Sequence, residues 1–194
     1  MYEKIKMWLI VFVAGAIIIK SAMYAGFFEP TSYKGGGFFI RIPKGWEMIK
    51  DETGEFPSQD STVPVFRFVM EPPERIPPLN EPAARIEIIS RKLTQATWIE
   101  DEWESILGNV KRSFGRYIDQ GEFFVDGQLV RWVFYLDKRA SRLRMELYAI
   151  TDGSLLVRME YSGHYSTLNG DKFLEYRPDF EWAKETFKFT VGIF

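Results

Sequence analysis

The stretch LRMELYAITDGSLLVRMEYSGHY, residues 143–165, decides the fold. Its two halves, residues 143–150 and 155–165, are rich in the aromatic and branched residues that strands favour. Between them lies Asp152-Gly153, a strong signal for a tight hairpin turn. The stretch therefore predicts two long antiparallel strands that lie side by side.

The same turn chemistry occurs once before this stretch. Asp126-Gly127 separates residues 122–125 from residues 128–136, and these two runs predict a second hairpin. Further upstream, three more runs have strand character: residues 38–42, 63–70 and 84–90.

Two segments have helical periodicity instead. Apolar residues recur every three or four positions through residues 97–111, with Thr97 as a cap and acidic residues in the first turn. A second helix is predicted from Pro178 to Phe187. Several strands with helices in the middle and at the end predict an α+β fold, an antiparallel sheet flanked by helices. The residues that recur at helical spacing in the first helix, and so predict its core stripe, are Trp98, Ile99, Glu102, Trp103, Ile106, Leu107 and Val110.

A proline-rich segment interrupts this pattern. Five prolines lie within residues 71–82. Proline lacks the backbone N–H that regular structure needs, so the segment predicts an exposed, partly extended loop.

The first 28 residues predict an N-terminal hydrophobic helix that acts as a membrane anchor or a signal segment. Residues 7–19 are uncharged and span about 20 Å as a helix, short of the roughly 30 Å hydrocarbon core. Apolar character resumes after Lys20 and continues to Phe28, which extends the helix to about 33 Å. Because Lys4 and Lys6 precede the run, the remainder of the chain is expected on the extracytoplasmic, or periplasmic, side.

A cleaved signal peptide is the main alternative, because the uncharged run also fits a signal-peptide hydrophobic region. The residues before the possible cleavage sites are unfavourable for a signal peptidase, which requires small side chains there. Cutting after Ala25 would leave Met23 three positions before the cut, and cutting after Ala22 would leave Lys20 there. An uncleaved anchor through residues 7–28 is therefore favoured, and a buried core helix is a third interpretation.

Residues 29–37, EPTSYKGGG, predict a linker because they combine proline, small polar residues and three glycines. The folded domain is accordingly expected to span residues 38–194.

Composition excludes several classes of function. The chain has 25 Lys and Arg against 27 Asp and Glu, a net charge of −2, which argues against a nucleic-acid partner. It has no cysteine, so disulfides, thiolate metal ligands, a cysteine nucleophile and a lipoprotein anchor are all excluded.

The residue patterns predict no catalytic, cofactor or metal site. The single histidine, His164, alternates in step with Arg158, Glu160 and Ser162, so we expect it on the polar face at a strand end. The glycines at positions 35–37 precede a strand, whereas a phosphate-binding loop leads into a helix.

Two features are candidates for binding a partner. The basic cluster of Lys138, Arg139 and Arg142, with Arg144 beside it, suits an acidic protein or anionic lipid head groups. A solvated loop is the simpler interpretation, and cross-strand ion pairs would explain the strand charges if the two long strands pair. Trp46 follows a turn, where it either packs over the sheet end or anchors a partner.

Three segments resemble PsbP-like domains. They are the opening strand that ends in Pro43-Lys44-Gly45-Trp46, the pairing of residues 144–151 with 155–165, and the closing helix within residues 173–189. The resemblance covers roughly residues 38–189 and fails at the proline-rich segment. It implies an antiparallel sheet between helices, no shared catalytic residues, and a binding role, since that family includes assembly factors and photosystem II subunits.

These observations predict a single PsbP-like domain, tethered to a membrane through residues 7–28, that acts non-enzymatically by binding a protein partner. Two alternatives stay open. An enzyme with an unrecognised site would have a deep polar pocket around His164, and a carrier of a small apolar ligand would have an enclosed aromatic cavity.

Overall fold

Long antiparallel strands form the centre of the fold, as the hairpin signals predict. The structure, a computed structural model, describes residues 32–54, 65–78, 80–113, 115–166 and 170–190. The strands are β1 (Ser32–Gly35), β2 (Phe38–Arg41), β3 (Glu47–Gly54), β4 (Val65–Glu71), β5 (Arg75–Ile76), β6 (Glu81–Pro82), β7 (Ala84–Lys92), β8 (Gly115–Val125), β9 (Gln128–Asp137), β10 (Arg142–Thr151), β11 (Leu155–Ser166), β12 (Gly170–Asp171) and β13 (Lys188–Phe189). The helices are α1 (Ile99–Ser113), α2 (Lys172–Glu175) and α3 (Arg177–Thr186).

The main sheet has the strand order β3-β4-β7-β11-β10-β9-β8, and β12 pairs with the end of β11. Every neighbouring pair is antiparallel. Asp126 and Gly127 form a two-residue turn with positive φ at both positions, 49° and 78°, as a tight hairpin requires. The hairpin at Asp152 is also confirmed, although Ser154 adds a third residue to its loop.

The two faces of this sheet carry separate hydrophobic clusters. One face packs against α2, α3 and a small sheet of order β1-β2-β13. The other face packs against α1, which covers β8, β9 and β10. This arrangement confirms the α+β fold class, an antiparallel sheet with helices on it. The buried side chains of α1 are Ile99, Trp103, Leu107 and Val110.

The start of α1 differs from the prediction. The helix begins at Ile99, so Thr97 is not its cap residue, and Trp98 precedes the first turn. Trp98 is 61% exposed rather than part of the core stripe, because a residue ahead of the helix does not follow its periodicity. The prediction also missed β3 and α2, and it placed the start of β8 seven residues too late.

Part of the predicted linker belongs to the folded unit, which is a correction. Strand β1 pairs with β2 along its whole length, so residues 32–35 are not linker. Gly36 and Gly37 form the turn between them with φ of 55° and 83°, which explains why glycine is needed there. The ring of Tyr33 lies 4.4 Å from that of Phe68. The folded unit therefore starts at Ser32 rather than residue 38.

The proline-rich segment is also more ordered than predicted. Strands β5 and β6 pair, with Arg75 opposite Pro82, and Pro72 and Ile76 are buried. Proline is tolerated here because a two-stranded ribbon has an outer edge where no N–H is required.

In the ranges that the structure describes, no helix has the length and apolar character to cross a bilayer. The predicted N-terminal helix, residues 7–28, lies outside those ranges.

Candidate functional site

An open groove with an apolar floor and charged residues on its walls lies on the main sheet between the edge strand β8 and helix α2, and its volume is about 710 Å³. We call it the sheet groove. Its floor consists of apolar side chains from β9 and β10, most of them only half-buried. These floor residues are Trp132, Phe134, Leu136, Leu143 and Met145.

Strand register places the floor residues side by side. Leu136 lies opposite Leu143, and Phe134 lies opposite Met145. Successive floor residues on each strand are two positions apart, so they share one face of the sheet. The floor is thus a continuous patch of large apolar side chains.

One wall of the groove is α2, and a glycine sets how closely it approaches the sheet. A Cβ atom at Gly163 on β11 would overlap the backbone of Phe173 and lie 2.9 Å from the carbonyl carbon of Lys172. The ring of Phe173 stacks on Phe134 at 5.1 Å between centroids. The hydroxyl of Tyr161 donates to the carbonyl of Phe173 at 2.5 Å. These contacts hold α2 beside the floor.

The opposite wall is the edge strand β8. Gly121 lies opposite Trp132, and a Cβ atom there would come within 2.7 Å of the indole ring. Glycine therefore gives the indole room to lie against the strand. A bulge between Tyr117 and Asp119 adds Ile118 to this wall.

Large apolar side chains are exposed around the rim. Ile118, Tyr165 and Leu174 all line the groove, and between 44% and 57% of each is exposed. Exposed apolar side chains grouped around a concave surface are typical of interaction sites.

Exposed positive charge lies at and beside one end of the groove. Leu136 and Leu143 flank the turn at residues 138–141, which contains Lys138 and Arg139. Arg116 lies opposite Leu136 and lines the groove. All three cations are exposed, and within the described part of the chain none has an ion-pair partner. We call Arg116, Lys138 and Arg139 the basic end.

Two carboxylates also line the groove, and each already bonds a backbone N–H. Asp119 accepts from Gln120 at 2.8 Å. Asp171 caps α2 by accepting from the N–H of Leu174 at 3.1 Å. These carboxylates shape the two walls. Asp171 lies opposite Tyr165, whose N–H donates at 2.8 Å to the carbonyl of Ser141 in the turn at residues 138–141.

Two of the predicted partner-binding residues, Lys138 and Arg139, lie in the turn next to this end of the groove, although neither lines the groove itself. Arg142 does not join them, because it is buried. It donates to the carbonyl of Pro82 at 3.0 Å and lies 3.6 Å from Glu81. Burial, with Arg85 nearby, lowers the pKa of Arg142 below its ordinary value. In this structure Arg142 ties β10 to β6, which corrects its placement at the surface.

Trp46, the fourth predicted residue, lies elsewhere and is buried. Its indole N–H donates to Asp179 at 2.9 Å, and its ring meets Tyr176 edge-on at 5.8 Å. Of its two interpretations, packing over the sheet end is the one that these contacts fit.

The predicted cross-strand ion pairs are confirmed on the face opposite the groove. Arg144 bridges Glu160 at 2.6 Å and Asp137 at 3.0 Å. Glu160 is the middle member of three adjacent buried glutamates, between Glu87 and Glu146 on neighbouring strands. Burial raises the pKa of Glu160, and the adjacent glutamates oppose its ionisation further.

His164 lies on this same polar face, opposite Arg142, as its alternation predicts. It is half-buried, and within the described residues its Nδ1 has no hydrogen-bond partner. It does not line the groove. In the same ranges, no group of three or more His, Asp or Glu residues could hold a metal ion.

A second, smaller cavity lies beneath Phe187 and Lys184, with apolar walls and a volume of about 20 Å³. Such a volume holds about one water molecule. It is too small for the apolar ligand of a carrier.

Sequence reasoning missed the sheet groove. Trp132, Phe134 and Leu136 alternate as any strand with one buried face does, so they could not be distinguished from ordinary core residues. The one available signal was the short run between Gly170 and Pro178, which leaves little helix to cover them.

No family model and no curated protein matches this sequence. Among solved structures, the chain is similar to the solution structure of cyanobacterial PsbP (CyanoP) from Synechocystis sp. PCC 6803. The TM-score is 0.50 at 13% identity, over 82% of this chain and 91% of that chain. The similarity supports the PsbP-like fold, and at this identity it concerns the fold alone.

Proposed function

We propose that this chain is a non-enzymatic domain, tethered to a membrane on the extracytoplasmic side, that binds a protein partner through the sheet groove. The observation that carries the proposal is the exposed apolar rim of Ile118, Tyr165 and Leu174 around a concave apolar floor that includes Trp132 and Phe134. Apolar and aromatic centres with a polar surround are typical of protein interfaces.

The tether is supported by the apolar character of residues 7–28 and by Lys4 and Lys6 ahead of it. Mass spectrometry of the mature protein tests it. An intact N-terminus is the expected result, whereas a mature form that starts near residues 22–27 would replace the anchor with a cleaved signal.

Three observations support the absence of catalysis. The groove brings together aromatic and aliphatic side chains, its two carboxylates bond backbone N–H groups, and His164 lies on the other face of the sheet. The resemblance to PsbP-like domains adds a binding or assembly role as the family's expected mode of action.

The test is site-specific photo-crosslinking of the full-length protein in its own membranes. A benzophenone side chain at Leu174, on the groove rim, should yield a defined protein adduct. Phe124 is the matched control, because it is 71% exposed on β8 but opposite Leu129, on the α1 side of the sheet. Equal labelling at the two positions, or adducts with lipid alone, would contradict the proposal.

A further inference from the structure

We propose that the partner segment in the sheet groove is an extended acidic–apolar peptide. Its aromatic or aliphatic side chains lie on the floor, and its carboxylates meet the basic end. The inference deepens the proposed function and rests on it.

The floor favours large flat side chains. It is composed mainly of half-buried residues, with Trp132 against the β8 wall and Phe134 stacked on Phe173 at the other wall. An aromatic ring that enters between them can adopt the offset or edge-on geometries that such rings prefer. Removing these half-buried surfaces from water supplies the driving force.

The basic end supplies the selectivity. Arg116, Lys138 and Arg139 are exposed and lack ion-pair partners in the described ranges, although most arginines of the main sheet are paired with carboxylates. Three unpaired cations beside an apolar floor are complementary to a segment with acidic residues next to apolar ones. Such complementarity selects partners and speeds association.

Anionic lipid is the competing occupant of the same cations, and the shape of the site disfavours it. The apolar surface is a concave groove between two walls, whereas insertion into a bilayer requires apolar groups that protrude.

The experiment measures fluorescence anisotropy with the full-length protein in phosphatidylcholine nanodiscs. The probe is a labelled synthetic peptide with an acidic run followed by alternating Phe and Ser. Two companion peptides replace the acids by Lys or the Phe by Ser. The test variant combines Arg116→Glu, Lys138→Glu and Arg139→Glu. The matched control combines Arg41→Glu, Lys44→Glu and Lys188→Glu, which reverses three exposed cations at the small sheet and its flanking turn.

The acidic–apolar peptide should bind, and the test variant should weaken binding by about tenfold or more while the matched control leaves it unchanged. Added salt should weaken binding as well, because the ion pairs are exposed. Both companion peptides should bind less tightly. Circular dichroism of the test variant should match the wild type, since the three side chains are exposed and unpaired.

Three results would overturn the inference. The first is that the Lys peptide binds as tightly as the acidic–apolar peptide, or that the test variant binds the acidic–apolar peptide as tightly as the wild type does. The second is a protein adduct at Leu174 that the acidic–apolar peptide fails to displace, which leaves the proposed function standing. The third is binding to phosphatidylserine vesicles that the test variant abolishes and the peptide does not compete with. Absence of both peptide binding and any protein adduct would reject the proposed function as well.

Discussion

Trp46 joins two distant parts of the chain. It follows the turn after β2, yet its indole donates to Asp179 at 2.9 Å and its ring packs edge-on against Tyr176. Only 7% of the residue is exposed. The side chain therefore holds the start of α3 against the end of the small sheet.

Trp46→Ala should destabilise the protein by about 3–5 kcal/mol, because it removes a buried aromatic side chain and leaves a cavity. Trp46→Phe retains much of the packing and loses the hydrogen bond to Asp179, so it should cost less, about 1–3 kcal/mol. Urea unfolding measures both. A Trp46→Ala variant that unfolds like the wild type yet loses its partner adduct would make Trp46 a binding residue instead.

The row of glutamates on the opposite face is a second residue-scale feature. Glu87, Glu160 and Glu146 lie on three neighbouring strands at the same level of the sheet. Arg144 and Arg158 favour the ionised form of Glu160, but burial has the largest effect and raises the pKa of Glu160 above the ordinary 4.5.

This raised pKa predicts the pH dependence of stability. Between the unfolded pKa and the higher folded pKa, the folded state retains a proton that the unfolded state has lost. The free energy of unfolding contributed by Glu160 therefore falls as pH rises through this window. In Glu160→Gln the group cannot titrate, so the change in the free energy of unfolding between about pH 4.5 and about pH 7 should be less negative than in the wild type.

Urea unfolding at the two pH values measures that difference. The control is Glu122→Gln, because Glu122 is mostly exposed and its carboxylate lies 3.4 Å from Arg131. Identical pH slopes for Glu160→Gln and the wild type would show that Glu160 is ionised in the folded state throughout this range.

At the scale of elements, two glycines determine the width of the sheet groove. Gly163 lies against the backbone of α2, because a Cβ atom at this position would overlap backbone atoms of Phe173. Gly121 meets the indole of Trp132, which is a side chain and can rotate away. The two positions therefore respond differently to the same added methyl group.

Gly163→Ala should destabilise the protein by about 1–3 kcal/mol, because the backbone of α2 must move to admit the methyl group. Gly121→Ala should cost less in stability but displace the indole from the β8 wall. Chemical unfolding compares the two stabilities, and anisotropy with the acidic–apolar peptide reports the change in the groove. A larger loss of stability for Gly121→Ala would contradict this ranking.

The sequence predicted most elements because their signals are local. Asp126-Gly127 and Asp152-Gly153 require only neighbouring residues, and α1 was recognised from its own periodicity. The groove needed more than local signals. Trp132 and Met145 have the alternation of core residues, and only the four-residue length of α2 leaves them uncovered.

For the molecule as a whole, the hairpin of β1 and β2 ties several parts of the fold together. The hydroxyl of Ser90 on β7 donates to the carbonyl of Gly36 at 2.6 Å. The N–H of Thr190, after β13, donates to the carbonyl of Gly37 at 2.9 Å. Tyr33 stacks near Phe66 and Phe68 of the main sheet.

A fragment of residues 32–194 should therefore fold alone, with circular dichroism of mixed sheet and helix. A fragment of residues 38–194 should be less stable by at least about 3 kcal/mol, because it loses the ring of Tyr33 and one of the two strands that pair with β2. Thermal and urea unfolding compare them. Equal stability would mean that β1 is a dispensable addition and that the domain does begin at residue 38.

By itself, the sequence determined the antiparallel sheet, its two tight hairpins, the first long helix and the ion pairs that alternate along β10 and β11. These features depend on turn chemistry and on residue spacing within one or two elements. The tertiary structure alone decided that Arg142 is buried, that Trp46 bonds Asp179, and that Trp132 and Phe134 lie in an open groove. The physical reason is that an apolar strand face predicts only that this face is removed from water. Whether a helix covers that face depends on the packing of residues far away in the chain.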